Sequence, residues 1–210
     1  MYNPDKPIKK HEEDLLGRSD FAKQLAEAII MLSTKDTYVV GLYGEWGSGK
    51  TSVLNLTEEV LMDISGKDKN DKVTIVRFNP WGYTDGTQLI QQFFSVLSSE
   101  IQSDTRGNKR KAIGEALEKY SFLLNSLKYI PVVGPFLTDM PELAGKIGSQ
   151  LKDGVLSIEN NVQCQKKLVK KALASFPRKI VIFIDDLDRL PNDYIRMIFQ
   201  LVNSVADFPN

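Results

Sequence analysis

Eight residues, Gly44-Glu45-Trp46-Gly47-Ser48-Gly49-Lys50-Thr51, constrain this chain more than any other stretch. They fill the template G-x-x-x-x-G-K-[ST], with Gly47 as an extra permissive position. The run before them, Val39, Val40, Leu42 and Tyr43, reads as a buried strand, and the residues after them read as the start of a helix. Glycines let consecutive backbone N–H groups turn inward around a phosphate, where a β-carbon would block the approach or the required φ. The helix that follows adds its positive end and its unpaired N–H donors. At this spacing Lys50 reaches the β- and γ-phosphates and the Thr51 hydroxyl ligates Mg²⁺. The expected cradle is Gly44, Glu45, Trp46, Gly47, Ser48, Gly49, Lys50, Thr51 and Ser52. A chance glycine loop would need neither the strand before it nor the helix after it.

Such a loop needs a complementary acid. Ile180 to Ile184 is a continuous apolar run that ends in Asp185-Asp186-Leu187-Asp188-Arg189. Five β-prone residues in a row predict a strand covered on both faces, as in a parallel sheet. Open α/β sheets place ligands at the C-terminal ends of their strands. Asp185, the first residue past the run, is the candidate to hold Mg²⁺ through water. Asp186 or Asp188 is the candidate to orient or deprotonate the attacking water. Three carboxylates in four positions cannot all be buried unpaired, so Mg²⁺ and Arg189 are their natural neutralisers.

The rest of the chain supplies elements around these two motifs. Residues 1–13 read as a polar leader, with His11 as exposed filler. Ser19 or Asp20 is placed to cap a helix through about Ser33, with Phe21, Leu25, Ala28 (or Ile29) and Leu32 on one face. The helix after the loop should bury Val53, Leu54, Leu56, Val60 and Leu61. Val73 to Phe78 is a second strand, which Pro80 ends at Phe78-Asn79-Pro80-Trp81. Asp85 or Thr87 then begins a helix to about Ile101, with Leu89 (or Ile90), Phe93, Leu97 and Ile101 inward. Residues 104–178 read as a mostly helical insertion, and about Pro191 to Ala206 as a last helix with Ile195, Ile198 (or Phe199) and Val202 inward. Packing alone explains these stripes. Asn79 and Trp81 read as strand-end packing before catalysis, and Trp46 either leans on a nucleotide or packs against Trp81.

Composition narrows the classes. Lys plus Arg and Asp plus Glu each total 27, leaving no net charge to argue for nucleic acid or an anionic membrane. The clusters Arg106, Lys109, Arg110, Lys111 and Lys166, Lys167, Lys170, Lys171 lack the interleaved aromatics of a base-stacking surface and read as solvated helix faces. One cysteine, Cys164, excludes an internal disulfide framework and fits a reducing compartment. The charged N-terminus is no signal peptide, so the expected location is the cytoplasm. The stretch from Ser121 to Leu137 is apolar but broken by Asn125, Lys128, Pro131, Gly134 and Pro135. It reads as a buried helical hairpin or turn in preference to a membrane segment.

Taken together, GEWGSGKT at 44–51, FNPW at 78–81 and IDDLDRL at 184–190 resemble the three signature blocks of the KAP family of P-loop NTPases, and DLLGRSDFAKQLAEAI at 14–29 resembles its N-terminal segment. The resemblance spans residues 14 to 207, least well in the insertion. It implies an α/β fold of the additional-strand class, a parallel sheet flanked by helices, and Mg–ATP held by Lys50, Thr51 and Asp185, with Asp186 or Asp188 as the hydrolytic acid. Family members include bacterial proteins linked to phage exclusion and animal membrane-associated signalling scaffolds, many with transmembrane helices between the two nucleotide motifs. Here 134 residues separate Thr51 from Asp185, without a clear spanning helix.

The family pattern runs on past residue 210 into further strands, a polar sensor residue and an arginine finger. With strand candidates only at 38–43, 73–78 and 180–185, the expectation is a partial domain whose central strand is supplied by further sequence or by a partner chain. The leading expectation is an ATP-hydrolysing switch in phage defence or signalling. A nucleotide-binding scaffold with negligible catalysis is the alternative, and a P-loop kinase ranks third because no arginine-rich lid follows the acidic strand.

Overall fold

The computed structural model describes residues 6–32, 36–67, 73–83, 86–103, 108–128, 161–206 and 208–209. They form two compact units, one of Met1–Gly82 with Phe176–Asn210 and one of Tyr83–Ser175.

The first unit is built on a two-stranded parallel sheet. Strand β1 (Val73–Phe78) pairs with β2 (Lys179–Ile184) in the register Val73↔Lys179 through Phe78↔Ile184. Side chains alternate across a strand, so Ile75 of β1 and Val181 and Phe183 of β2 share one face. Helices α1 (Ser19–Met31) and α2 (Lys50–Lys67) cover it: Ala26, Leu61 and Phe183 are buried together, with Ile29, Ile30, Leu54, Val60, Ile75 and Val181 packed around them. On the opposite face of β1, Thr74, Val76 and Phe78 are buried as well, so the strand is covered on both faces along most of its length. A helix at the chain's C-terminal end (Asn192–Val205) buries Ile198 and Leu201, while Phe199 is exposed.

The second unit holds α3 (Gly86–Ser103), α4 (Asn108–Lys128) and α5 (161–174), which makes the C-terminal helix α6. Helices α3 and α4 pack antiparallel. Arg110 donates from Nη1 to the Ile101 carbonyl at 3.0 Å, Gly114 lies against Ser98, and the Tyr120 ring meets Phe94 edge-on with centroids 5.5 Å apart. A Cβ at Gly114 would come within 2.7 Å of Ser98 Oγ, so a side chain there would require the Ser98 and Gln102 side chains to shift. Helix α5 is anchored by the Gln165 side chain, which donates to the Ala116 carbonyl at 3.2 Å, and buries Val162, Val169 and Leu173. Cys164 is exposed on it.

Several expectations are corrected. Tyr38–Tyr43 is not a strand: it runs without a ladder partner among the described residues, with Tyr38, Val39, Val40 and Tyr43 exposed. β-propensity expresses itself only where another strand takes up the backbone donors and acceptors, and both described strands pair with each other alone. For the same reason β2 is half-buried along most of its length, with Phe183 its one buried side chain. On α1 the inward face is Ala22, Leu25, Ala26, Ile29 and Ile30, while Phe21 stays exposed. Neither Ser19 nor Asp20 caps that helix. Asp14 does, accepting the Ser19 N–H at 2.7 Å and the Ser19 hydroxyl at 2.6 Å. Of the apolar stretch Ser121–Leu137, residues 129–137 lie outside the described residues. Asp85 also lies outside them. No described helix is long and apolar enough to cross a membrane.

Candidate nucleotide site

The loop from Gly44 to Gly49 folds by its own glycines. Gly47 (φ 78°) and Gly49 (φ 87°) adopt left-handed backbone that a side chain disfavours. The Ser48 N–H donates to the Glu45 carbonyl at 3.1 Å, closing a tight turn. A Cβ at Gly44 would approach Ser48 Oγ to 2.5 Å, so a side chain there would require the Ser48 hydroxyl to turn away. Helix α2 starts at Lys50, its first intrahelical bond running from the Val53 N–H to the Gly49 carbonyl at 3.0 Å. The loop therefore leads straight into a helix N-terminus, whose free donors and positive end face the turn.

Two side chains then tie this loop to its surroundings. The Lys50 ammonium donates to the carbonyls of Gly44 and Glu45, both at 3.0 Å. The Thr51 hydroxyl donates to Asp185 Oδ2 at 2.8 Å, across 134 residues of sequence. Asp185 sits where the sheet ends: its N–H reaches the Phe78 carbonyl at 3.4 Å, and its Oδ1 accepts the Asp186 N–H at 2.9 Å. One hydroxyl and one carboxylate make a sparse donor set. It fits Mg²⁺, which keeps several waters and shares the phosphate oxygens of its nucleotide, and it does not resemble an all-protein metal cage. Among the described residues no cluster of three or more metal-ligating His, Cys, Asp or Glu side chains occurs.

The acids that follow diverge. Asp186 takes a left-handed backbone (φ 58°, ψ 30°). Its carboxylate accepts the Asn79 amide at 2.8 Å through Oδ2 and pairs with Arg189 Nε at 2.9 Å through Oδ1. Asp188 is exposed in the short 3₁₀ turn Leu187–Arg189, with no hydrogen bond or ion pair to another described residue. Arg189 thus neutralises Asp186, not Asp185 or Asp188. Trp46 is 83 % exposed and Trp81 54 %. Glu45 is exposed, and Ser52 Oγ accepts the Ile8 N–H at 3.2 Å.

That last bond belongs to a feature the sequence left unread. The leader lies along α2: Asn55 donates to the Ile8 carbonyl at 2.7 Å, the His11 N–H donates to Glu59 at 2.8 Å, and the His11 ring Nδ1 lies 3.5 Å from the same carboxylate. His11 is exposed, as expected, while its backbone N–H holds the leader to Glu59. Nearby, Arg77 of β1 pairs with Glu58, donates to Asn55 at 2.8 Å and stacks its guanidinium 6.0 Å from the Phe183 ring centre. The role of Asn79 was also missed. FNPW marks the place, but the partner of Asn79 lies 107 residues away.

Residues 18–210 match the KAP family P-loop domain. The Phage T7 exclusion protein of Escherichia coli (strain K12) is 28 % identical over 224 aligned positions, which cover 98 % of this chain and 29 % of that protein. ABC transporter B family member 21 of Arabidopsis thaliana is 27 % identical over 151 positions, 72 % of this chain and 11 % of the transporter. The chain thus spans less than a third of the curated relatives it matches. No solved structure matches it.

Proposed function

The chain belongs to the KAP family of P-loop domains, and on that premise we propose that it binds Mg–ATP at the Gly44–Ser52 loop and hydrolyses it as a nucleotide-dependent switch. The observation that carries this reading is the Thr51–Asp185 hydrogen bond, which joins the phosphate loop to the acidic strand end. The loop's backbone donors and the start of α2 would hold the phosphates. Lys50 would exchange its two loop carbonyls for the β- and γ-phosphate oxygens. Thr51 and Asp185 would hold Mg²⁺ between them, and the bound ion would neutralise charge on the transferred phosphoryl group. Asp186 is the stronger candidate for orienting the attacking water, since its carboxylate is fixed in place while Asp188 is exposed and untethered.

Loss of the γ-phosphate would then release what ATP had ordered, as in other nucleotide switches. In the additional-strand arrangement the family resemblance implies, the open backbone of Tyr38–Tyr43 would pair with a strand from further sequence or from a partner chain. The likeness to a phage exclusion protein supports a role in phage defence.

The test is retention of labelled ATP by the wild-type chain and by Lys50→Ala. Binding lost in the variant supports the site; binding undiminished removes Lys50 from it. A binding-only scaffold has one physical argument in its favour, because both oxygens of Asp186 are already engaged by Asn79 and Arg189. Single-turnover phosphate release separates the two readings, since a scaffold would release none.

A further inference from the structure

Asp186 is the one non-glycine residue with positive φ among the described residues. Aspartate visits this region more readily than most side chains, but it stays there only where the surroundings fix it. Those surroundings are two side chains. Asn79 Nδ2 donates to Asp186 Oδ2 at 2.8 Å, and Arg189 Nε meets Oδ1 at 2.9 Å while its N–H donates to the Asp186 carbonyl at 3.3 Å. Asn79 is itself oriented, because its Oδ1 accepts the Trp81 N–H at 2.9 Å and so turns the amide nitrogen toward the acid.

The backbone explains the meeting. β1 and β2 end in register at Phe78↔Ile184, so Asn79 and Asp185-Asp186 leave the sheet side by side. Pro80 keeps Asn79 out of helical backbone, which holds its side chain at the strand end. Packing does not account for it: Asn79 is exposed, between the buried Phe78 and Pro80.

We propose that Asn79 is a positioning residue that, with Arg189 on the other oxygen, aims the Asp186 carboxylate at the attacking water during ATP hydrolysis. The inference rests on the reading of Asp186 as the hydrolytic acid. An amide is suited to this work, since it holds a carboxylate by one directed donor without competing for its charge as a second cation would.

The experiment is single-turnover phosphate release, with labelled-ATP retention measured in parallel, on the full chain and its variants. Asn79→Ala should slow release about 10- to 100-fold with ATP retention unchanged, the size of effect a misplaced catalytic group produces. If Asn79 acts through Asp186, the double variant Asn79→Ala/Asp186→Ala should be no slower than Asp186→Ala alone. Asn79→Asp keeps the shape but sets two carboxylates together. It should slow release about as much as Asn79→Ala, with ATP retention unchanged, because no amide donor remains. This variant keeps the question open to an answer even if Asn79→Ala fails to fold. Asn79→Ala or Asn79→Asp at the wild-type rate, or additive losses in the double variant, would each overturn the positioning role. Wild-type release by Asp186→Ala would instead overturn the reading of Asp186 beneath it.

Discussion

The Thr51 hydroxyl donates to Asp185 Oδ2 at 2.8 Å, so the first turn of α2 and the end of β2 are joined by side chains that lie 134 residues apart in sequence. That bond makes a specific prediction about metal-dependent binding. Thr51→Val keeps the shape and removes the oxygen; Asp185→Asn keeps the shape and removes the charge. If the pair holds Mg²⁺ as proposed, each should weaken Mg²⁺-dependent ATP retention by about 10- to 100-fold, the size of loss seen when a group supporting a bound metal is removed. Titrating Mg²⁺ at fixed ATP reads the effect. Unchanged Mg²⁺ dependence in both variants would detach this pair from the nucleotide.

A second prediction concerns stability alone. Lys179, the first residue of β2, sends its ammonium to three carbonyls at the end of α1: Ile29 at 2.8 Å, Ile30 at 2.6 Å and Leu32 at 2.8 Å. Ile29 and Ile30 lie in the last turn of the helix and Leu32 is its C-cap, so the ammonium sits at the negative end of the helix dipole. Lys179→Met retains the aliphatic stem and removes the donor. It should lower unfolding stability by about 1.5–3 kcal/mol, the range for hydrogen bonds to a charged group. The urea midpoint should fall with the slope unchanged.

What the sequence disclosed, and what it withheld, follows from the range of each signal. The helix α2 and the strands β1 and β2 are written in local pattern: Val53, Leu56 and Leu61 recur at helical spacing, VTIVRF is a β-prone run and IVIFI an apolar one. The glycine loop and the acids Asp185, Asp186 and Asp188 past β2 stand out in the sequence, and the structure brings Thr51, next to that loop, to Asp185. Tyr38–Tyr43 misleads because strand residues carry propensity but not the identity of a partner. On α1, hydrophobicity ranks Phe21 above Ala22 and Ala26, yet the small residues are the buried ones. Helix α1 packs against α2 and the sheet through Ala26, which is buried with Leu61 and Phe183. The Asn79–Asp186 bond and the docking of the leader on Asn55 and Glu59 depend on pairs distant in sequence, so no local pattern records them.

The last prediction concerns pH. Asp14 accepts the Ser19 hydroxyl at 2.6 Å and the Ser19 N–H at 2.7 Å, with the Leu16 N–H at 3.2 Å on its other oxygen. The Ser19 hydroxyl is the largest influence, and with the backbone N–H groups it holds the Asp14 carboxyl below the usual carboxylate range against a smaller opposing effect of desolvation. A carboxyl depressed in the folded state contributes stability that is fully present above its unfolded value of about 3.9 and is lost as the pH falls through the folded value. The first turn of α1 should therefore loosen on acidification below about pH 4. The thermal midpoints of wild type and Asp14→Asn should differ at neutral pH and converge as the pH drops through that window. A constant difference across the titration would show that the Asp14 cap does not depend on its charge.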